Sequence, residues 1–381
     1  MQCDSTAPLH EFFAGGGLAR LGLAPDFRCV FANDIDPAKA KAYRAAYGDG
    51  EMRQGDIWKL EASDLPGAAA LAWASFPCQD LSLAGARGGL AAPRSGAFWG
   101  FHRLIAHLGA EGRAPQVLAL ENVCGLLTSR GGADFTALIA ALDALGYRVG
   151  AVEIDAALFT PQSRARLFII ATRAAPDASL VARGPSETFH SSALRTAHNR
   201  LPEALRAHWI WWRLDAPPTR NTRLIDVLDE NPNGATWNDD AATARLVAMM
   251  SPLQRARLEA IQKSGRRDVG ALFRRIRVEN GVRVQRAEVR FDGLAGCLRT
   301  PAGGSSRQTL LFVEGGAIRS RLISPREAAR LMGAPDHYPL PEGQTAALHL
   351  LGDGVCVSAV RFLSQHLLAP LASAAPQRLS A

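Results

Sequence analysis

The sequence predicts an α/β fold built on a doubly wound, Rossmann-like sheet with a second, smaller domain, and three observations carry that expectation. Short apolar runs at Leu9 to Phe13, Cys29 to Ala32, Ala68 to Ala74, Val117 to Leu120 and Leu167 to Ala171 have the length of buried strands. The first of them passes straight into Ala14-Gly15-Gly16-Gly17 and then the helical-looking Leu18 to Leu23, giving strand, glycine turn and helix in succession. After Thr172 this rhythm stops, and Ala174 to Arg290 is poor in strand signals. The expected division is therefore a large domain over residues 1–173, completed by a returning helix within 345–370, a smaller domain over 174–344 and a frayed tail over 371–381. With 381 residues and 48% hydrophobic content, the chain can bury cores of that size.

Taken in order, the glycine turn does not complete a dinucleotide fingerprint, because counting G-x-G-x-x-G from Gly15 places Arg20 at the last position. That weighs against a nicotinamide oxidoreductase. The second strand ends in Asn33-Asp34-Ile35-Asp36, about twenty residues beyond the glycines, where an acid suits ribose hydroxyls. Gly55-Asp56-Ile57 adds another carboxylate at a loop edge. Any one of these acids could be a turn or cap residue, but three in order favour a nucleoside-bearing cofactor. The strand Ala68 to Ala74 is stopped by Pro77, which fixes φ and lacks a backbone donor, so Cys78 is carried at a strand's carboxyl end. That edge of an open α/β sheet is where ligands bind.

Charge and cysteine content narrow the class further. The six cysteines contain no CxxC pair, so neither a disulfide framework nor structural zinc is expected, and no metal site is read. No continuous apolar run of spanning length and no charged-then-apolar leader pattern is found, which sets the expectation of a cytoplasmic protein with no membrane partner. The formal charge is +7, and Ala241 to Arg290 alone carries 12 basic and 4 acidic residues. A basic block inside an otherwise neutral chain points to a polyanion.

With Phe76-Pro77-Cys78-Gln79 added to the glycine turn and the ordered acids, the sequence resembles the cytosine-5 DNA methyltransferases. Later segments extend the resemblance in family order. Glu121-Asn122-Val123 is similar to that family's ENV motif, Gln162-Ser163-Arg164-Ala165-Arg166 to its Q-x-R-x-R motif, and Ser324 to Gly333 to the segment that braces its recognition region. Gly352-Asp353-Gly354-Val355 resembles the closing G-N-x-V motif, with Asp353 in place of asparagine, and Glu11-Phe12-Phe13 stands where the family has Asp-Leu-Phe.

The resemblance implies a Rossmann-like methyltransferase sheet with a target-recognition domain, S-adenosylmethionine as methyl donor and a flipped-out cytosine in duplex DNA as acceptor. Carbon 5 of cytosine is too weak a nucleophile to attack a sulfonium methyl group, so a thiolate must first add at carbon 6; Cys78 suits that, with Arg164 and Arg166 as sources of positive charge. Glu121 would serve ring nitrogen 3, since a carboxyl among apolar neighbours can keep a proton to donate. The cofactor would be held by Phe13, Ala14, Gly15, Gly17, Asp34, Ile35, Asp56, Ile57, Pro77, Asp353 and Val355. Gln79 would meet DNA, as would Ser82, Arg87 and Arg94 within a glycine-hinged segment Asp80 to Ala97 suited to a closing lid. So would Arg266, Arg267, Arg274, Arg275 and Arg277 of the basic block, and Gly303, Ser305 and Arg307 of a second glycine loop.

Trp209, Trp211 and Trp212 are expected as local core before they are expected as base-stacking platforms. Val355 to Leu368, with helical apolar spacing, is expected to return to the large domain beside the first motif. Two other functions compete. An RNA cytosine methyltransferase would share the chemistry, but the long intervening region with its basic block favours DNA. A non-catalytic DNA-binding module would be expected to lack Cys78, Glu121 or Arg166, and all are present. A monomer acting on DNA at the nucleoid, with room for a cognate restriction endonuclease, completes the expectation.

Overall fold

A computed structural model of the chain describes residues 6–77, 96–300 and 307–373. It contains two compact units, one of Met1–Asp155, Ala165–Pro217 and Ala359–Ala381, the other of Ala156–Arg164 and Pro218–Ser358.

The first unit is organised on a seven-stranded sheet. In chain order it has β1 (Ala7–Phe12), α1 (Leu18–Leu23), β2 (Phe27–Asp34), α2 (Pro37–Tyr47), β3 (Met52–Gln54), β4 (Leu71–Ala74), α3 (Ala97–Ala110), β5 (Val117–Asn122), α4 (Ala133–Ala144), β6 (Arg148–Asp155) and β7 (Ala165–Thr172). The strand order is β3-β2-β1-β4-β5-β7-β6, and every neighbouring pair is parallel except those made by β7. The start of α2 has a local cause. It is Asp36, whose side chain accepts from the backbone N–H groups of Ala38 and Lys39, followed by Pro37 with its φ already set. Buried strands such as β5 are apolar on both faces because helices cover the sheet, with Leu118, Leu120, Phe98, Phe101, Leu104 and Leu138 in one core.

The sheet order reverses between β1 and β4, so the chain from β1 winds outward to β2 and β3 on one side and to β4 and β5 on the other. Such a reversal opens a crevice at the carboxyl ends of the strands.

The expected division at 173 and 345 differs from the compact units. Residues 174–217, with α5 (Ser192–Asn199) and α6 (Glu203–Ala207), pack with the large sheet rather than with the smaller domain. The reason is a close approach at β6: a Cβ on Gly150 would lie 2.1 Å from the carbonyl oxygen of Ile210 and 2.5 Å from Nε1 of Trp212. Trp212 is buried and donates to the carbonyl of Ile170, as expected of local core.

The second unit contains α7 (Asp240–Ala248), α8 (Pro252–Lys263) and an antiparallel sheet of β8 (Asp268–Glu279), β9 (Val282–Arg290), β10 (Thr309–Glu314) and β11 (Ala317–Leu322) in the order β11-β10-β8-β9. Leu246, Met250, Leu258, Leu272, Ala287 and Val289 form its core. Ala174 to Arg290, read from sequence as poor in strand signals, thus contains β8 and β9. Asn280 and Gly281, at φ 50 and 79, make the left-handed pair of a two-residue hairpin turn, the local signal that marks β8 and β9. Their outer halves are exposed on both faces, which puts arginines where alternation would otherwise show.

The segment Ser324 to Gly333 opens α9 (Pro325–Leu331) with a capping box between Ser324 and Glu327. Glu327 is fully buried and pairs with the equally buried Arg321 at 2.6 Å, while the Arg321 guanidinium also donates to the carbonyl of Asp229. α10 (Gln344–Asp353) leads into α11 (Val357–Leu363), a π-helical turn over Ser364–Leu368 and α12 (Ala369–Ser373). The stretch Gln344–Ser373 has the length and apolar composition of a membrane span, yet 61% of its most apolar window is buried inside the protein, as in a core helix. From Ala359 onward it belongs to the first unit, where Arg361 donates to the carbonyl of Leu21 at 2.8 Å and Ser364 to Asp26 at 2.7 Å. Of the expected returning stretch Val355 to Leu368, the part from Ala359 onward lies with the first unit, and Val355 to Ser358 with the second.

Removing Glu327 would strand the Arg321 guanidinium in the interior. Glu327→Ala is therefore expected to destabilise the protein by about 3–5 kcal/mol in urea unfolding, and Arg321→Met with Glu327→Leu by less. A loss under about 1 kcal/mol for the single change would show that the pair is not holding this part of the fold.

Candidate active site at the carboxyl edge of the sheet

Register aligns the sequence motifs of the first unit into one transverse row. Phe12 pairs with Asn33 on β2 and with Ala74 on β4, and Ala74 pairs with Leu120 on β5. The residues one step further, Asp34, Phe13, Ser75 and Glu121, therefore leave four adjacent strands at one level. With strands about 4.8 Å apart, Asp34 and Glu121 stand roughly 14 Å from each other across this edge.

The glycine turn is held open by specific contacts. Phe13 and Gly15 both take positive φ, 57 and 56, and the backbone N–H of Ala14 donates to the carbonyl of Asn33 at 2.9 Å. No atom lies within 4 Å of where a Gly15 side chain would begin, whereas a Cβ on Gly17 would strike the Tyr47 ring at 2.4 Å. Gly15 thus keeps backbone accessible, and Gly17 permits packing. The Asp34 carboxylate receives the backbone N–H of Gly15 and of Asp36, each at 2.8 Å. Burial raises its pKa, against those two hydrogen bonds. Asn33, which the sequence did not single out, donates to the carbonyls of Arg53 and Gly55 and so fixes the loop carrying Asp56. Asp56 caps the short helix Ile57–Lys59 through Trp58, Ile57 is buried against Gly100, and Ile35 is 64% exposed. Trp58, 48% exposed, adds an aromatic surface that only its position after Asp56-Ile57 could have indicated.

Beneath the turn lies Glu11, completely buried on β1. It accepts from the backbone N–H of Arg20 at 3.2 Å and from the Tyr43 hydroxyl at 3.4 Å. Burial pushes its carboxyl up to about 8, with Arg20 and Tyr43 opposing, and raises the Cys29 thiol beside it to about 12. Glutamate in place of aspartate thus reaches under the glycine turn to the first residues of α1.

Across the row, Glu121, next to last in β5, has its side chain 9% exposed and meets Nε of Arg166 at 3.1 Å. Glu121 pairs with Phe168 on β7, so Arg166, two residues earlier on the same face, is its diagonal neighbour. The apolar surroundings expected for Glu121 thus include a guanidinium. Asn122 contacts the carbonyl of Phe76 at 3.4 Å, tying β5 to the chain just before Pro77, which is half-buried. Cys78, Gln79, Ser82, Arg87 and Arg94, and with them nearly all of the expected lid, lie outside the described residues.

Arg164 takes a different position from Arg166. It belongs to the second unit, is 2% exposed and donates to the carbonyls of Leu298, Gly352 and Gly354. Gln162, fully buried, donates to the carbonyl of Leu331 and accepts from the backbone N–H of Leu298. The Q-x-R-x-R segment is thus divided: Gln162 and Arg164 hold backbone of the second unit and only Arg166 reaches Glu121. Asp353 closes α10 exposed and Val355 is buried, both in the second unit.

Of the expected DNA contacts, Arg266 and Arg267 follow α8, with Arg267 paired to Glu230 at 3.2 Å; Arg274, Arg275 and Arg277 lie on β8. Arg307 donates to Thr345 at 2.7 Å, and Gly303 and Ser305 lie outside the described residues. Among the described residues no cluster of metal-ligating side chains is found.

Comparison with known proteins gives a consistent result. Residues 8–369 match the family model described as C-5 cytosine-specific DNA methylase. The chain is similar to Type II methyltransferase M.NlaX of Neisseria lactamica, 26% identical over 373 residues, 97% of this chain and 98% of that protein. It is also similar to Type II methyltransferase M.BsuFI of Bacillus subtilis, 27% identical over 92% of this chain and 70% of that one. The crystal structure of the S. pombe Dnmt2 methyltransferase has the same fold, with TM-score 0.54 and 17% identity over 94% of this chain and 97% of that one.

Glu11 generates a pH prediction. Its folded pKa of about 8 lies above the ordinary 4.5, so its contribution to stability is fully present below pH 4.5 and is lost as pH rises through 8. Glu11→Gln should remove this slope, gaining on the parent protein with rising pH by on the order of 5 kcal/mol at most. Urea midpoints measured from pH 5 to 9 check it; parallel curves would contradict the buried-carboxyl account.

Proposed function

Because this chain belongs to the C-5 cytosine-specific DNA methylase family and is a DNA cytosine-5 methyltransferase, we propose that it takes the methyl group from S-adenosylmethionine and places it on a flipped-out cytosine held covalently by Cys78. The observation that most supports this reading is the transverse row, in which the glycine turn, Asp34, the chain entering Phe76-Pro77-Cys78 and Glu121 leave adjacent strands of a single sheet edge.

The residues present fit the cofactor. The open backbone at Gly15 admits a close ligand, Asp34 offers carboxylate oxygens for ribose hydroxyls, Ile35 presents an exposed apolar side chain for a flat ring, and Asp56 lies at the loop edge for an exocyclic amine. Phe13, Ala14, Gly17, Ile57 and Pro77 shape this crevice, and Asp353 and Val355 are assigned to the donor's amino-acid end. When bound, S-adenosylmethionine supplies an electrophilic methyl group.

The chain's own residues do the rest. The Cys78 thiolate forms a bond to carbon 6, and the displaced electron pair makes carbon 5 nucleophilic while Glu121 serves ring nitrogen 3. Arg166 orients the Glu121 carboxyl through the ion pair, and Arg164 acts at a distance as a positioning residue for the 352–354 turn. After methylation a base removes the proton on carbon 5, the electron pair of that C–H bond forms the double bond between carbons 5 and 6, and the bond from carbon 6 to sulfur breaks to release the Cys78 thiolate. Gln79, Ser82, Arg87 and Arg94, with Arg266, Arg267, Arg274, Arg275, Arg277, Gly303, Ser305 and Arg307, meet the duplex. The Type II naming of the relatives favours a restriction-modification setting; a cytoplasmic location, a cognate endonuclease as counterpart and action as a monomer complete the proposal.

Duplex DNA carrying 5-fluorocytosine at the target should trap a covalent adduct, because fluorine at carbon 5 blocks elimination. Cys78→Ala forming the same adduct as the parent protein would end the proposed mechanism. Asp34→Ala is expected to weaken binding of the demethylated cofactor by roughly ten- to a hundredfold in calorimetric titration, the loss of one hydrogen bond to a charged group. Unchanged affinity would place the cofactor elsewhere.

A further inference from the structure

The hairpin of the second unit outruns its sheet. β10 pairs with β8 only from Asp268 to Leu272, while β9 pairs with β8 as far as the turn, so beyond the bridge of Ala287 to Met250 residues 273–279 and 282–286 form a two-stranded ribbon with no third strand among the described residues. Seven residues of ribbon reach about 20 Å.

Its two faces differ in a way that register makes explicit. On one face Arg275, Arg277 and Arg286 are answered by Glu288 and Glu279: Arg275 meets Glu288 at 3.4 Å, Arg277 Nε donates to Glu288 at 2.7 Å, and Arg286 Nε to Glu279 at 2.7 Å. On the other face Ile276 pairs with Gln285 and Val278 with Arg283. This second face continues the core: Leu272, Ala287 and Val289 lie on it and are buried, and beyond them Ile276 is 57% and Val278 71% exposed. Among the described residues Arg283 has no ion-pair partner. The three arginines of one face are therefore ion-paired to its two carboxylates, while the other, beyond the half-buried Arg274 that pairs in register with Ala287, presents two branched apolar side chains, Arg283 and an amide to solvent.

Exposed apolar residues on an unpaired edge are an aggregation liability. We infer that this face, through Ile276, Val278, Arg283 and Gln285, reads base edges in the major groove of the DNA substrate. A two-stranded ribbon fits a major groove about 12 Å wide; arginine matches the paired acceptors of guanine, glutamine the donor and acceptor of adenine, and branched apolar groups the methyl of thymine. The ribbon carries five arginines against two glutamates over residues 273–288, so its charge complements the duplex. The ion-paired face is held rigid by its own bridges. The inference rests on the methyltransferase reading and adds to it the residues that select the sequence.

The test is bisulfite sequencing of plasmid DNA from cells expressing each variant. Arg283→Ala with Gln285→Ala should lower methylation of the parent target by roughly tenfold to a hundredfold and widen the flanking bases accepted. Arg283→Lys should widen them too, because it keeps the charge and loses the fork. Ile276→Ala with Val278→Ala should lose preference at thymine positions, and Arg183→Ala, the same charge removed from the first unit, should leave the target unchanged. The inference is overturned if the Arg283 and Gln285 variant methylates the parent sequence at the parent rate. It is equally overturned if the parent sediments as a dimer that Ile276→Ala with Val278→Ala dissociates while the target stays the same, which would make the ribbon a contact between copies. A parent protein that leaves no 5-methylcytosine would instead defeat the methyltransferase reading, and this inference with it.

Discussion

The buried pair of Glu121 and Arg166 depends on one strand running against the others. β5 delivers Glu121 to the carboxyl edge near its end, and β7, antiparallel to it, delivers Arg166 to the same edge at its beginning. A parallel strand would have carried its early residues to the opposite edge, a strand length of about 20 Å away. Direction and register together therefore decide which of two nearby arginines faces the carboxylate. With both side chains largely withdrawn from water, the pair is specified by geometry, since removing either partner would leave a charge without compensation.

The same strand reversal explains the division of labour in the Gln162 to Arg166 segment. The chain leaves the first unit after Asp155, contributes residues 156–164 to the second, and re-enters at Ala165. Within the second unit, Gln162 and Arg164 spend their donors on backbone carbonyls that strands and helices do not satisfy, those of Leu331, Leu298, Gly352 and Gly354. A guanidinium is suited to this, having five N–H donors in a fixed planar fork. Gly352 belongs to that arrangement for a steric reason, since a Cβ there would lie 2.6 Å from the backbone nitrogen of Thr300.

On the other side of the row the constraint is the glycine turn. Its positive φ values at Phe13 and Gly15 are strained for an ordinary residue such as Phe13 and are maintained by hydrogen bonds from Ala14 to Asn33 and from Gly15 to Asp34. Asp34 thus has a structural task, closing the turn, besides any it has toward a ligand. Glu11 supports the following helix from below, and the burial that raises its pKa is the cost of placing a carboxyl there.

Much of the first unit was legible from sequence because its signals are local. Apolar runs of strand length, a glycine turn, acids at strand ends and a proline stop each depend on residues within one segment, and they located β1, β2, β4, β5, β7 and α1 to within a few residues. The Asn280-Gly281 turn was just as local, yet its hairpin escaped notice because arginines on both exposed faces hide the alternation. What sequence could not decide were facts of contact between distant segments. Glu121 among apolar neighbours gave no sign of Arg166, because a diagonal pair exists only once strand direction is known. Arg164 and Arg166, two residues apart and alike in chemistry, took separate roles because one lies in a segment that folds with the second unit. Residues 174–217 joined the large sheet because Gly150 lacks a side chain where Ile210 and Trp212 press in. Local propensity is written along the chain, whereas close approach and register arise only when separate segments are packed against each other.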